Sequence, residues 1–412
     1  MKVCVVGSGG REHALACALN KTVEVVVAPG NPGIPWSISK SPEQISADLF
    51  VIGPEVPLVD GLADRLRSKG RLVFGPGADG ARLEGSKVWM KNVLIEAGVP
   101  TARHRVFNNE YDAQNFLKTL DGPFVIKTDG LAAGKGVLVT SDRSEANDTV
   151  RSYLSGKAFG DAGRRLIIEE GLVGAELSVQ AICDGKTAFP LVPAQDFKRL
   201  SNGDMGPNTG GMGAYSPVPV ATQHLVDELM ETTFLPTLFV LRAKNIDFRG
   251  VLYCGLMLTA EGPKVLEYNV RFGDPETQVV LPRITNDLTG LLTEAASGTL
   301  KTNPTFDKNA VVAVVCATEG YPDKPKIGDP IYGLDSAVSC EGINVYCAGV
   351  GEKNGQLVTA GGRVLTVTGK GETIDVARER VYNAIRHISW SGIQHREDIA
   401  AYPTQTDDWT RL

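Results

Sequence analysis

Glu267 and Asn269 stand two residues apart in the run Lys264-Val265-Leu266-Glu267-Tyr268-Asn269-Val270-Arg271. On a strand, the period of two puts Glu267, Asn269 and Arg271 on one face and Leu266, Tyr268 and Val270 on the other. The polar face then offers two hard oxygens suited to a magnesium ion that also takes oxygens from a nucleotide's phosphates. It adds a planar guanidinium for a carboxylate or acyl phosphate. Asp274 and Glu276 follow closely. A second segment, Lys127-Thr128-Asp129-Gly130-Leu131-Ala132-Ala133-Gly134-Lys135-Gly136, brings two ammonium groups to one glycine-rich loop. It is not a P-loop: Gly130 to Lys135 is one residue short, and Gly136 replaces the hydroxyl residue that would hold magnesium. Glycine amides and lysine charge can still cover a polyphosphate. A third, Gly7-Ser8-Gly9-Gly10-Arg11-Glu12-His13, opens a helical pattern, where free N–H groups and the helix dipole favour an anion. Glu12 stands at the third glycine of a dinucleotide fingerprint, and no acid ends the second strand at the required distance, so a dinucleotide is disfavoured. His13 reads as a packed helix residue. The acids after Ile167-Ile168, namely Glu169, Glu170 and Glu176, read by themselves as a solvated strand end.

These groups need a scaffold. Val3–Val6, Val23–Val27, Leu49–Ile52 and Leu72–Phe74 are short apolar runs separated by helical patterns, which predicts a parallel α/β sheet. Between the second and third runs, Pro29, Pro32, Pro35 and Pro42 leave little room for a regular helix. The periodicity Val88, Met90, Val93, Leu94, Ala97 predicts a helix stopping at Gly98, with a domain edge near residue 100. Strands follow at Phe124–Lys127, Val137–Thr140, Leu166–Glu169 and Glu176–Cys183, with a helix at Ser144–Leu154. A polar loop from Ser201 to Gly213 precedes a helix from His224 to Leu241, which Pro236 should kink or end. Val251–Leu258 and Lys264–Val270 form a hairpin. Further strands at Ala310–Cys316, Gly342–Ala348 and Arg363–Thr368 and a helix at Ile374–Arg386 complete the chain.

The composition agrees with a soluble, folded protein. The chain has 412 residues with 42% hydrophobic and 22% charged residues and a net charge of −6, which excludes disorder and a basic nucleic-acid or anionic-membrane footprint. Glycine, 46 residues, is about 11% against an average near 7%. Seven scattered cysteines without Cys-x-x-Cys or zinc spacing read as reduced thiols. The longest apolar run, Ala310 to Ala317, is far below the roughly 20 residues of a membrane span. The start of the chain has no secretory pattern, so the expected compartment is the cytoplasm.

Together these residues resemble the ATP-grasp superfamily and, within it, the phosphoribosylamine–glycine ligase family. The resemblance is carried by Gly9 to Leu15, Gly53-Pro54-Glu55, Leu83-Glu84-Gly85-Ser86-Lys87, Asp129 to Val137, Gly206 to Pro217, Arg271 to Gln278 and Gly361-Gly362-Arg363-Val364. It implies an α/β ATP-grasp architecture. An N-terminal parallel α/β domain (1–100) binds phosphoribosylamine, an ATP-grasp domain (101–300) has a central mixed sheet and a small mobile lid (115–187), and a small C-terminal α/β domain spans 301–412. The implied reaction charges glycine with ATP to glycyl phosphate and passes it to 5-phosphoribosylamine, in purine synthesis. Lys127 and Lys135 are expected on the ATP phosphates. The backbones of Glu170 and Leu172 are expected at the adenine edge, Glu169 beside it and Glu176 on the ribose. Glu267 and Asn269 would hold magnesium, or manganese as the alternative, and Arg271 would steady the acyl phosphate. Asn208, Thr209, Gly210, Gly211 and Met212 would close on glycine; Gly9, Gly10, Glu55 and Asp274 would border the substrates. The partners are these small molecules, with neither nucleic acid nor membrane, and the expected state is a monomer or weak dimer.

Two departures stand out. Tyr253 to Leu258, opposite Glu267, carries no acidic metal ligand. The stretch Pro32 to Ala47 lacks most of an extra strand and helix usual in the family, which leaves the N-terminal strand order and one wall of the ribosylamine pocket open. The competing readings are a bicarbonate-activating purine enzyme of the same superfamily, disfavoured by the Asn208–Ser216 loop, and a non-catalytic nucleotide sensor, which has no use for Arg271.

Overall fold

The four apolar runs at the start of the chain become parallel strands: β1 (Lys2–Gly7), β2 (Glu24–Pro29), β3 (Leu49–Ile52) and β4 (Leu72–Phe74), in the order β2-β1-β3-β4. The computed structural model describes residues 1–131, 136–156, 158 and 163–402, so Lys135 lies outside the described residues. Val3, Val5, Leu49 and Val51 are fully buried, as a parallel sheet covered on both faces requires. The proline-rich connection after β2 holds one short 3-10 turn, Pro42–Gln44, and runs beside β2 through a Val27–Ser37 bridge. This settles the strand order: β2 is an edge.

A small second unit has a sheet of β5 (His104–Phe107), β6 (Phe124–Thr128), β7 (Val137–Thr140) and β8 (Leu166–Glu170), ordered β5-β8-β6-β7. The helices Glu110–Leu117 and Arg143–Leu154 cover it, and Phe107, Phe116, Phe124, Ile126, Val150 and Ile168 form a core of its own. The sheet therefore begins before the expected lid boundary at 115. β9 (Ala175–Asp184), expected inside the lid, pairs instead with the central hairpin. An apolar strand read without its partner cannot reveal which sheet it joins.

Five short strands follow β9: β10 (Ala188–Pro190), β11 (Gln195–Asp196), the pair β12 (Arg199–Ser201) and β13 (Met205–Asn208), and then β14 (Gly213–Ser216). The predicted hairpin is β15 (Arg249–Thr259) and β16 (Gly262–Asn269), and the central sheet reads β10-β9-β15-β16. A bulge corrects the predicted alternation. The register passes from Gly255–Glu267 to Leu256–Val265, leaving Leu266 as the extra residue. Val265 and Tyr268 are buried, while Leu266 is only half-buried. Pro236 neither ends nor breaks its helix. A widened π turn, Met230–Phe234, joins Gln223–Leu229 to Leu235–Ala243 and absorbs the backbone donor that proline lacks.

The C-terminal strands β17 (Ala310–Ala317), β18 (Ile343–Cys347), β19 (Val350–Lys353), β20 (Gln356–Thr359) and β21 (Arg363–Gly371) precede the helix Ile374–Ile385. Their main sheet, β11-β14-β17-β21-β18, borrows β11 and β14 from the middle of the chain. Every described cysteine is a free thiol. Among the described residues no helix is long and apolar enough to cross a membrane.

His13 fastens the first helix, Gly10–Leu19, to this C-terminal sheet. Its Nδ1 accepts the Cys347 N–H at 2.8 Å, and the ring lies edge-on to Trp36 and Tyr346. Burial pushes its pKa down from 6.5 to about 4. Between those values the unfolded chain binds the extra proton and the folded chain does not, so stability falls as the pH falls through this window. From pH 7 to pH 5 the native protein should lose about 2 kcal/mol more unfolding free energy than His13→Asn, which keeps an acceptor for the Cys347 amide. Denaturant titrations at the two pH values measure this, and equal losses would deny His13 that role.

Candidate active site

The bulge leaves Glu267 and Asn269 in register on the cleft side of β16, with Arg271 in the bend that follows. They line a cleft of about 550 Å³ between the central sheet, the small unit and the C-terminal region. Arg271 is locked there. Its Nε donates to Glu55 at 3.3 Å, its Nη2 to Glu84 at 2.8 Å and to Asn269 Oδ1 at 3.2 Å, and its Nη1 to the Phe272 carbonyl at 3.2 Å. Glu84 also accepts the Val270 N–H. Burial alone would raise the Glu55 carboxyl, but Arg271 and Arg11 hold it below its usual value. Burial pushes Glu84 up despite Arg271, with Glu55 adding to the rise.

A second cavity, of about 600 Å³, opens at the carboxyl ends of β1, β2 and β3, the crevice where open parallel sheets receive ligands. Gly9 lines it, and the shortened connection supplies its missing wall as Ser41-Pro42-Glu43. The glycines before the first helix have an unexpected use. Glu12 folds back so that Oε2 accepts the Gly9 N–H at 2.6 Å and Oε1 accepts Arg11 Nε at 2.5 Å. A Cβ at Gly7 or at Gly53 would overlap the Glu12 side chain. The helix start thus already holds a carboxylate on one of its donors. Gly10, expected at the substrate, instead packs against Gln278, Thr366 and Ala348, because the helix's first turn presses on the C-terminal sheet.

The loop from Asn208 to Met212 reaches the cleft through Asn208, Thr209 and Gly210. Thr209 is bonded to the Lys198 carbonyl through both N–H and Oγ1, at 2.7 and 2.8 Å. The Gly210 N–H donates to Tyr321 Oη at 2.9 Å, and Arg363 donates to the Gly210 carbonyl. Arg363 also bonds Asp274 Oδ2 at 2.7 Å. Burial would raise Asp274, yet Arg363 and Arg11 hold it below its usual value. Gly211 (φ +106°) packs on Pro275. Met212 is fully buried, its N–H bonded to the Phe197 carbonyl, so it is a core residue and not the predicted substrate contact: the turn at Gly211 points it inward.

Lys127 is buried and already paired. Its Nζ is bonded to Glu169 at 3.1 Å and to the Leu266 carbonyl at 3.3 Å, while Lys91 meets the same carboxylate at 3.2 Å. Burial would raise Glu169, but the two ammonium groups hold it below its ordinary value. Burial pulls Lys91 down to about 8, against the pull of Glu169. Glu169 is therefore a buried ion-pair centre and not the solvated strand end of the bland reading. Glu170 accepts the Arg103 N–H, and Leu172 lies in the connection between β8 and β9. Glu176 pairs with Lys198, which lines the cleft beside Asp196. Burial, with Glu276 and Glu176, pushes Asp196 up to about 7 despite Lys198. At the base of the lysine loop, Asp129 accepts from Ser86 Oγ, the Val88 N–H and Arg165.

Among the described residues no group of three or more metal-binding side chains is gathered. Glu267 and Asn269 supply two hard oxygens, and facing Gly255 has no side chain to add a third. The donor set suits a divalent ion whose remaining ligands are water and phosphate oxygens.

Three family models match successive parts of the chain: the phosphoribosylglycinamide synthetase N domain at residues 1–84, its ATP-grasp (A) domain at 85–277 and its C domain at 311–402. The chain belongs to the phosphoribosylglycinamide synthetase family. It is 46% identical to a phosphoribosylamine–glycine ligase of Leifsonia xyli subsp. xyli, across 97% of this chain and all of that one. It is 43% identical to one of Rhodopirellula baltica, across 98% of each. A solved phosphoribosylamine–glycine ligase of Thermotoga maritima superposes with a TM-score of 0.86 at 37% identity, covering 97% of this chain and 100% of that chain. The biotin carboxylase domain of a Hydrogenobacter thermophilus carboxylase, at TM-score 0.72 and 18% identity over 100% of this chain and 97% of that one, shares the fold alone.

In this chain, sequence reasoning gave no role to Arg11, Glu84, Lys91, Tyr321 or Arg363. Arg11, Glu84 and Arg363 lay inside the family motifs, which was the available signal; Lys91 and Tyr321 had none. Removing the shared carboxylate with Glu169→Gln strands two buried cations. It should lower unfolding free energy by about 3 kcal/mol, whereas Glu24→Gln, breaking the exposed Lys2–Glu24 pair, should cost under about 1 kcal/mol. Denaturant unfolding compares them, and similar small losses would exclude a structural role for the triad.

Proposed function

We propose that this protein is an ATP-dependent ligase joining glycine to 5-phosphoribosylamine, giving glycinamide ribonucleotide, ADP and phosphate in purine synthesis. The observation that carries this reading is the meeting of two cavities at Arg11, Pro54 and Asp274. One cavity bears Glu267, Asn269 and Arg271; the other sits at the carboxyl ends of a parallel sheet. In the first step a glycine carboxylate oxygen attacks the γ-phosphorus of ATP, and ADP leaves. In the second, the ribosylamine nitrogen attacks the glycyl carbonyl, and phosphate leaves. Two substrates must enter from different sides and meet.

Glu267 and Asn269 would hold the divalent ion, magnesium or manganese, which offsets the charge repulsion between carboxylate and phosphate. Arg271, half-buried between Glu84 and Glu55, keeps its proton firmly: burial works against the charge, but the two carboxylates more than restore it. Lys127 and Lys135 are assigned to the ATP phosphates, the 170–172 backbone to adenine, and Glu176 to ribose. Asn208 to Gly211 are assigned to glycine, and Gly9, Glu55 and Asp274 to the ribosylamine side. Water exclusion matters because an acyl phosphate hydrolyses. We further assign a cytoplasmic location and a monomer or weak dimer.

Product analysis by mass tests the reaction. ADP release should require glycine together with phosphoribosylamine generated in situ, and bicarbonate-dependent release without glycine would reject the proposal. Glu267→Ala should lower turnover at least about 100-fold with an unchanged circular dichroism spectrum; unaltered turnover would remove the metal assignment.

A further inference from the structure

At the junction of the two cavities, Arg271 is fully engaged: each of its three guanidinium nitrogens already donates to a protein acceptor. Arg11 is not. It lies in the first turn of the helix Gly10–Leu19 and is 6% exposed. Its Nε is held by Glu12 at 2.5 Å and its Nη1 by the Phe272 carbonyl at 3.2 Å. That carbonyl also accepts Arg271 Nη1 at 3.2 Å, so one oxygen bridges the two guanidinium groups. Arg11 Nη2 has no hydrogen-bond partner among the described residues, and it is not sealed from the cavities. Of the three described residues lining both cavities, Pro54 has no side-chain donor, and both Asp274 oxygens are taken, by Gln278 at 2.7 Å and Arg363 at 2.7 Å. The free group where the cavities join is therefore one arm of a desolvated, permanently charged fork, whose natural partner is an oxygen carrying negative charge.

We propose that Arg11 is a catalytic residue of the amide-forming step, its Nη2 donating to the oxyanion that develops on the glycyl carbonyl. This rests on the function proposed above. The amine nitrogen forms the C–N bond while the carbonyl pair moves onto oxygen. That pair returns as the bond from the acyl carbon to the phosphate oxygen breaks, and phosphate departs with the bonding electrons and takes up the amine proton. Negative charge exists on the carbonyl oxygen only between those events, so a donor fixed beforehand by Glu12 and Phe272 favours the transition state over the ground state. Glu12 then acts as a positioning residue, aiming the fork by filling the space that Gly7 and Gly53 leave open.

Three readouts on the full chain test this: kcat for amide formation, equilibrium ATP affinity, and ADP released per amide formed. Arg11→Met should lower kcat about 100-fold or more while ATP affinity stays within about threefold, and it should raise the ADP-to-amide ratio well above the parent's as glycyl phosphate is lost to water. A kcat within about threefold of the parent, or a large loss at an unchanged ratio, overturns the assignment. Should Arg11→Met not fold, Arg11→Lys keeps the charge beside Glu12 but lacks the fork. It should lose about tenfold in kcat with the same rise in ratio, and parent-like kinetics would overturn the proposal. A parent protein that forms no amide from these substrates instead fails the function itself.

Discussion

The Arg271 guanidinium holds separate parts of the chain in one geometry. Glu55 and Glu84 come from the N-terminal domain, Asn269 from the central hairpin, and all three accept from it. Such a half-buried cation among several carboxylates is costly to desolvate and destabilising to break. The arrangement is therefore better read as fixing relative position than as adding net stability. Its effect on the site is direct: the same bonds that orient Arg271 set Asn269, and through the Val270 N–H on Glu84 they fix the end of β16.

Around that cation the charges alternate. Arg11, Arg271 and Arg363 are interleaved with Glu12, Glu55, Glu84 and Asp274; Arg11 and Glu12 are buried and the others half-buried. Burial alone would raise the Glu55 and Asp274 carboxyls; Arg271 and Arg11 hold Glu55 below its ordinary value, and Arg363 with Arg11 does so for Asp274. The interior of the junction is consequently a preorganised set of dipoles and charges that needs little rearrangement when a charged substrate enters.

Much of this was legible beforehand. The parallel sheet showed in four apolar runs because strands buried on both faces have no polar alternation to confuse them. The Glu267–Asn269–Arg271 face survived the bulge because it lies beyond Leu266. What stayed hidden depends on partners distant in sequence. That β9 belongs to the central sheet, that Met212 turns inward at Gly211, and that Glu169 is shared by Lys91 and Lys127 are facts of pairing, and local pattern carries no record of them. Gly10 misled for a related reason: a glycine before a helix signals close approach, but not whether to a ligand or to Gln278 and Thr366.

The strand β14 follows directly on the loop assigned to glycine, yet it is a member of the C-terminal sheet, where it lies between β11 and β17. The catalytic half of the molecule therefore does not end where its own motifs end. A chain truncated near residue 300 would leave β14 as a bare ladder edge, open to adventitious strand addition, and would strip Tyr321 and Arg363 from Gly210. Evolutionary shuffling of these modules is constrained accordingly: the tail must travel with the head.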